Sequence, residues 1–154
     1  MSAQDLGDIY HRMILERARN PRHQHQLEPF DAEVREVNRL CGDRVTLRLA
    51  CRATDCIAAI GYEARGCAIC MASSDVMAEL VPGMTALEAR MAARHFERAL
   101  RSGEAVGWDG RMAVLSLFDP LHGTPSRIGC ATLPWQALRQ ALARVVGTEA
   151  DGDG

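Results

Sequence analysis

Cys41 and Asp43 flank a single glycine in "NRLCGDRVTL", just before a clean alternation of apolar and polar residues. A thiol and a carboxylate that close share one small space, as a catalytic pair, as metal ligands or as two sides of a turn. Cysteines also stand at positions 51, 56, 67, 70 and 130. Three thiolates, from Cys41, Cys67 and Cys130, together with the Asp43 carboxylate make the four ligands that a tetrahedral zinc ion takes. Gly42, Gly66 and Gly129 lie beside these cysteines, where a backbone can turn sharply or come close. Spacing alone leaves the matter open. Zinc ribbons carry paired C-x-x-C knuckles, whereas these residues lie far apart in the chain. Three buried structural thiols are the alternative, since free cysteine is among the most buried residue types.

The other candidates are weaker. Cys51 and Cys56 bracket a turn between two strands, where a structural role is expected. Cys70 forms a C-x-x-C with Cys67 at a helix start, the arrangement of thiol oxidoreductases. The parallel β-α-β pattern around such a motif is missing, so Cys70 is expected to pack on its helix. His23 and His25 fall in a polar loop and His95 on a helix, with no ligand role expected. His122 is near Cys130 in sequence, and an approach to the site is expected of it only on that ground.

The composition excludes several classes. The chain has 154 residues, 47% hydrophobic and 25% charged, with a formal charge of −2. One domain is expected over residues 1–147, with no electrostatic case for nucleic acid. Basic residues in "HRMILERARNPRH" alternate with apolar ones as on a solvated helix. The N-terminus is polar and acidic, unlike a secretory or transit peptide. No segment approaches the roughly 18 apolar residues of a membrane span. The expected place is the cytoplasm, where thiols stay reduced and six cysteines are no disulfide framework. The glycine-rich, acidic end, residues 148–154, reads as a disordered tail.

The elements that must position the candidates follow from periodicity. Leu6, Ile9, Tyr10, Met13 and Ile14 form one face of an amphipathic helix stopped near Pro21. "DAEVREVN" reads as an edge strand, "RVTLRLA" as the clearest strand, "CRATDC" as a turn and "IAAIGYEARG" as a third strand. Short connections predict an antiparallel meander. Ile69, Ser73, Val76 and Leu80 line a helix ended by "VPG", and Thr85 with Glu88 is a capping box for a helix to about Leu100. "RMAVLSLF" is a shorter apolar segment closed by Pro120. "HGTPSRIGC" reads as a loop before a last helix capped by Thr132, with Leu138, Ala141, Leu142 and Val145 buried and Trp135 in the core. The class is α+β: a small three-stranded antiparallel sheet with five or six helices. Cys67 and Cys130 would then sit at helix N-termini, where the dipole lowers a thiol pKa.

The segments "YHRMILERARNPRH", "NRLCGDRVTL", "ARGCAICMASSDVMAEL" and "RIGCATLPWQAL" resemble successive signatures of the IscU/NifU-type iron–sulfur assembly family. The resemblance covers about residues 5 to 146. It implies the same α+β fold and the site residues Cys41, Asp43, Cys67 and Cys130. IscU scaffolds have a histidine before the last cysteine and an LPPVK-type chaperone motif upstream. Here those places hold Gly129 and "HGTPSRI". The long interval containing "WDGRMAVLSLFDPLHG", and "RIGCATLPW" with Arg127, are similar to the SufU branch. Two departures stand out. SufU proteins commonly have a basic residue at the place of Gly129 and serine at that of Cys70.

The SufU resemblance implies one bound Zn2+ and sulfur taken from a pyridoxal-phosphate cysteine desulfurase of the SufS type. In that family a desulfurase histidine replaces one cysteine on the zinc, and the freed cysteine attacks the partner's persulfide. By the CGD motif that acceptor is Cys41, while Asp43, Cys67 and Cys130 stay on the metal. Arg127 and Cys70 are accessory candidates, Arg127 for steering a persulfide or the partner. A downstream Suf assembly scaffold receives the sulfur, no membrane is involved, and a monomer is expected. The alternative is a scaffold that builds a [2Fe–2S] cluster on the same ligands, against which the missing histidine and chaperone motif count.

Overall fold

Strict alternation in "RVTLRLACR" makes strand β2 (Arg44–Arg52), the centre of the sheet, with Val45, Leu47 and Leu49 turned into the core. The computed structural model describes residues 2–52, 55–104 and 106–146. Strands β1 (Ala32–Val37) and β3 (Cys56–Arg65) pair antiparallel on either side of β2, in the order β1-β2-β3. The register aligns Val34, Leu47 and Tyr62 across the inner face. At the site end it aligns Val37, Arg44 and Arg65 on the outer face.

Helix α1 (Ala3–Arg19) precedes the sheet. Helices α2 (Ala68–Leu80) and α3 (Ala86–Ser102), a 3₁₀ helix (Gly110–Leu121) and α4 (Pro125–Val146) follow it. Helix α4 packs on β1 and β2 and α2 on β3, so the inner face of the sheet is covered. The three-stranded antiparallel sheet with five helices is the α+β architecture the periodicity predicts. Residues 148–154, expected to be a disordered tail, lie outside the described residues.

Two fixed points lock this arrangement. Trp135 is fully buried against Phe96, with ring centroids 5.6 Å apart, and its indole donates to Ser73 Oγ at 3.2 Å. Asp75 is also fully buried. It accepts hydrogen bonds from Arg17 Nε (2.9 Å), the backbone N–H groups of Arg22 (3.1 Å) and His23 (2.7 Å), and Tyr62 OH (2.8 Å). One carboxylate thereby ties α1, the segment after it, β3 and α2 together. A buried charge is tolerable only when paired and hydrogen-bonded, and here it is both.

Several expectations need correcting. The turn is narrower than "CRATDC", because β2 runs on through Arg52 and β3 begins at Cys56. Across it Arg52 pairs with Cys56 and Cys51 with Ile57, so the two cysteines are offset by one register pair. The capping box of Thr85 and Glu88 is present, and α3 ends at Gly103 in the left-handed conformation. "RMAVLSLF" belongs to the 3₁₀ helix, and Pro120 lies inside its last turn instead of closing it.

The largest difference concerns α4, which starts at Pro125 and takes up most of the expected loop. Proline fits a first helical position, where its missing N–H has no intrahelical acceptor to lose. The carbonyl of Thr124 receives the first bonds, from the N–H groups of Arg127 (2.9 Å) and Ile128 (3.1 Å). Thr132 is therefore no cap. It is buried mid-helix with its hydroxyl donating to the Gly129 carbonyl at 3.4 Å. Trp135 lies in the middle of α4, in the core as expected.

Candidate metal centre

The loop between β1 and β2 curls around Asn38. Its backbone N–H donates to the Asp43 carbonyl (2.8 Å), and its own carbonyl accepts from Gly42 N–H (2.7 Å). Its side-chain oxygen accepts from Leu40 N–H at 3.0 Å, an Asx turn. Gly42 has φ +79, a conformation that L side chains rarely adopt. The curl brings Cys41 and Asp43 to one side of the loop.

Strand register brings in Cys67. Arg44 pairs with Arg65, so the residues just beyond them, Asp43 and Gly66, become neighbours. Asp43 Oδ1 accepts the backbone N–H of Cys67 at 2.8 Å, and the Cys67 thiol donates to Oδ2 at 3.4 Å. Gly66 has φ +146, and a Cβ there would sit 2.0 Å from Asp43 Oδ1. Cys67 is the N-cap of α2, and its sulfur accepts from Cys70 N–H at 3.5 Å.

Helix α4 delivers Cys130, whose Sγ lies 3.3 Å from Cys41 Sγ. Asn38 Nδ2 donates to the Cys130 sulfur at 3.9 Å. Cys41, Asp43 and Cys130 each offer a ligand atom, all within 4.8 Å of one another, and Cys67 joins them through Asp43. Three of the expected residues thus form one mutually close group, and Cys67 lies beside it on Asp43. Its donors fit a thiophilic divalent ion such as zinc. With Zn–S bonds of about 2.3 Å, neighbouring sulfurs of a tetrahedral site are roughly 3.7 Å apart, near the 3.3 Å between Cys41 and Cys130.

Electrostatics departs from expectation. Burial works to raise the Asp43 carboxyl, but hydrogen bonds from Cys41, Cys130 and the backbone and thiol of Cys67 outweigh it, holding the group below the usual carboxylate range. Burial pushes the Cys67 thiol up, the Asp43 charge adds to that, and the Cys70 N–H and Cys130 oppose it. Cys130 is raised by burial first, then by its hydrogen bonds with Asp43, Cys41 and Cys67. The predicted lowering by helix N-termini does not prevail. Cys130 lies well inside α4, and at Cys67 desolvation and a carboxylate neighbour exceed the dipole. A bound cation reverses that balance, because a coordinating thiol is deprotonated outright.

Exposure differs sharply among the donors. Asp43 is 1% exposed and Cys130 5%, Cys67 is half-buried, and Cys41 lies open to solvent. All six cysteines are free thiols. Cys70 is fully buried in the core, with its thiol pushed up by burial. Arg127 is exposed in the first turn of α4. The expected approach of His122 fails: its ring Nδ1 bonds the Leu100 carbonyl at 3.2 Å. His95 packs on Trp108, with centroids 4.6 Å apart. Sequence reading passed over Asn38. Its signal was an Asx-turn residue placed three before a Cys-Gly pair.

Among the described residues, no helix is long and apolar enough to cross a membrane. The family model described as NifU-like N terminal domain matches residues 9–150. An iron–sulfur cluster assembly scaffold protein IscU from Streptococcus pyogenes is 30% identical over 94% of this chain and 89% of its own length. A zinc-dependent sulfurtransferase SufU from Bacillus subtilis is 30% identical over 93% of this chain and 95% of its own. The crystal structure of a NifU-like protein (N-terminal) from Brucella abortus superposes with TM-score 0.83 and 31% identity, covering 94% of this chain and 99% of that one. Fold and these likenesses agree, and the chain belongs to the IscU/NifU N-terminal family of iron–sulfur cluster assembly proteins.

Proposed function

We propose that the protein is a zinc-binding sulfur acceptor in iron–sulfur cluster biogenesis, taking persulfide sulfur from a cysteine desulfurase onto Cys41 and passing it on. The observation that carries this reading is the unequal exposure of the donors: Asp43 and Cys130 are buried, while Cys41 stands open on its loop. A partner's persulfide reaches only an exposed sulfur. The Bacillus subtilis relative, named a zinc-dependent sulfurtransferase, supports the same choice.

Zinc, when bound, supplies the charge that keeps the cluster's cysteines deprotonated at neutral pH. Cys41 Sγ, as thiolate, attacks the outer sulfur of the partner's Cys–S–SH. The new S–S bond forms on Cys41, the partner's S–S bond breaks, and its cysteine leaves as thiolate. Atoms and charge balance without an oxidant. Asp43, Cys67 and Cys130 hold the remainder of the site, and Asp43, a harder donor than thiolate, keeps it labile enough for exchange. Arg127, exposed on α4, helps hold the anionic persulfide. The desulfurase is a pyridoxal-phosphate enzyme of the SufS type, and a downstream Suf scaffold takes the sulfur.

A cluster scaffold on the same ligands is the second reading, favoured by the Streptococcus pyogenes relative. Gly129 offers no side chain where scaffold relatives place a histidine. Aerobic purification with zinc and iron measured per chain separates the two. Bound zinc with stimulated desulfurase turnover, lost in Cys41→Ala, supports the acceptor. Stoichiometric iron with acid-labile sulfide and no stimulation overturns it.

A further inference from the structure

The mouth of the cluster carries exposed arginines that the sulfur chemistry does not use. Arg39 lies two residues before Cys41, Arg44 directly after Asp43, and Arg65 two before Cys67. Arg44 and Arg65 are cross-strand partners at the site end of the sheet. Both are exposed, at positions where Val45 and Ala64, the next register pair, face the core. Among the described residues none of these three arginines makes an ion pair or side-chain hydrogen bond. The nearest outward acid on these strands is Glu63, two register pairs further in, opposite Thr46.

This is a costly arrangement. Like charges directly opposite in an antiparallel pair repel, and among the described residues no ion pair offsets them. Positive charge is concentrated here although the chain as a whole is slightly acidic. Exposed apolar residues stand beside these arginines. Leu40, next to Cys41, is 89% exposed, and Val37, the β1 partner of Arg44, is 49% exposed. Exposed apolar side chains beside unpaired charge are the makings of a protein interface rather than of a solvated surface.

Resting on the sulfur-acceptor reading, we infer that Arg39, Arg44 and Arg65 form the docking rim for an acidic face of the desulfurase, with Leu40 as the apolar anchor beside the reacting sulfur. Complementary charge speeds encounter and fixes register, which aims the persulfide at Cys41. Carboxylates on the partner would relieve the Arg44–Arg65 repulsion on binding.

The test measures the dissociation constant and turnover of the zinc-loaded protein with the cysteine desulfurase of the same organism, across a sodium chloride series. Wild type should bind more weakly as salt rises. The double variant Arg44→Glu, Arg65→Glu should lose about tenfold or more in affinity at low salt and most of its salt dependence. Arg52→Glu is the control, an exposed arginine at the far end of β2, roughly 27 Å along the strand. It should bind as wild type. Zinc content and persulfidation of Cys41 by inorganic polysulfide should be unchanged in both. Arg65→Gln adds a second readout: it should raise the melting temperature while weakening binding. Salt-independent wild-type binding, equal loss in Arg52→Glu, or salt-dependent self-association of this chain in place of desulfurase binding would overturn the rim and leave sulfur acceptance standing. Failure of wild type to bind or be persulfidated at all would sink both.

Discussion

Asp43 holds Cys67 twice, through its backbone N–H at 2.8 Å and through its thiol at 3.4 Å. The carboxylate is thus both a candidate ligand and the clamp that fixes the start of α2 against the β2 entry. Asp43→Ala removes both functions and leaves a backbone donor without its partner, at a stability cost of about 1–3 kcal/mol. Zinc affinity should fall by at least about tenfold, and sulfur transfer should fall with it. Chelator competition and desulfurase assays check this. Unchanged zinc affinity together with unchanged transfer would remove Asp43 from the account.

Gly66 and Gly129 both precede site cysteines, yet substitution should separate them. Alanine at Gly66 would place its Cβ 2.0 Å from Asp43 Oδ1, at φ +146. Gly66→Ala should cost about 1–3 kcal/mol and displace the carboxylate, lowering zinc stoichiometry. Gly129 is helical, and a Cβ there meets only the far end of the Asn38 side chain, at 3.3 Å. Gly129→Ala should retain zinc, with the stability change kept within about 1 kcal/mol by the gain in helix propensity. Thermal melts and metal analysis of the two variants measure the contrast.

Asp75 makes stability depend on pH. Burial acts to raise its carboxyl, but the N–H groups of Arg22 and His23, Tyr62 and Arg17 outweigh it and hold it below the ordinary value. A carboxyl depressed in the folded state stabilises above its unfolded pKa, near 4, and loses that contribution as pH falls through the lower folded value. Asp75→Asn breaks a buried pair and should cost about 3–5 kcal/mol at pH 7. The difference between wild type and variant should shrink below about pH 4. Urea unfolding of both proteins from pH 7 to 3 tests the sign, since contributions from the metal centre cancel in the difference.

Cys70 completes a C-x-x-C with Cys67 but is buried in the core, while its N–H supports the Cys67 sulfur. The backbone bond survives substitution. Cys70→Ala should therefore keep zinc and sulfur transfer and cost about 1 kcal/mol through the lost packing volume. Loss of transfer with stability intact would restore a redox role for this thiol.

Much of this architecture was legible because its signals are local. Alternation in "RVTLRLA", the Thr85–Glu88 box and the Ile69–Leu80 stripe each determine an element without tertiary help. The start of α4 was not legible, because helical backbone through Gly129 runs against local propensity and is held by packing of Ile128 and Cys130 in the core. The thiol pKa directions failed for a related reason. Desolvation and a buried carboxylate are properties of the assembled site, and no spacing in the chain reveals them. His122 shows the limit of sequence proximity: eight residues along the chain from Cys130, it faces α3 instead.

The central claim is that Cys41 is the donor that accepts sulfur while the others stay. A single turnover of the zinc-loaded protein with desulfurase and cysteine, followed by thiol alkylation and peptide mass analysis, reads it directly. The extra sulfur is expected on the Cys41 peptide, with Cys67 and Cys130 unmodified and zinc retained. Sulfur found on Cys67 or Cys130, or transfer undiminished in Cys41→Ala, would contradict it.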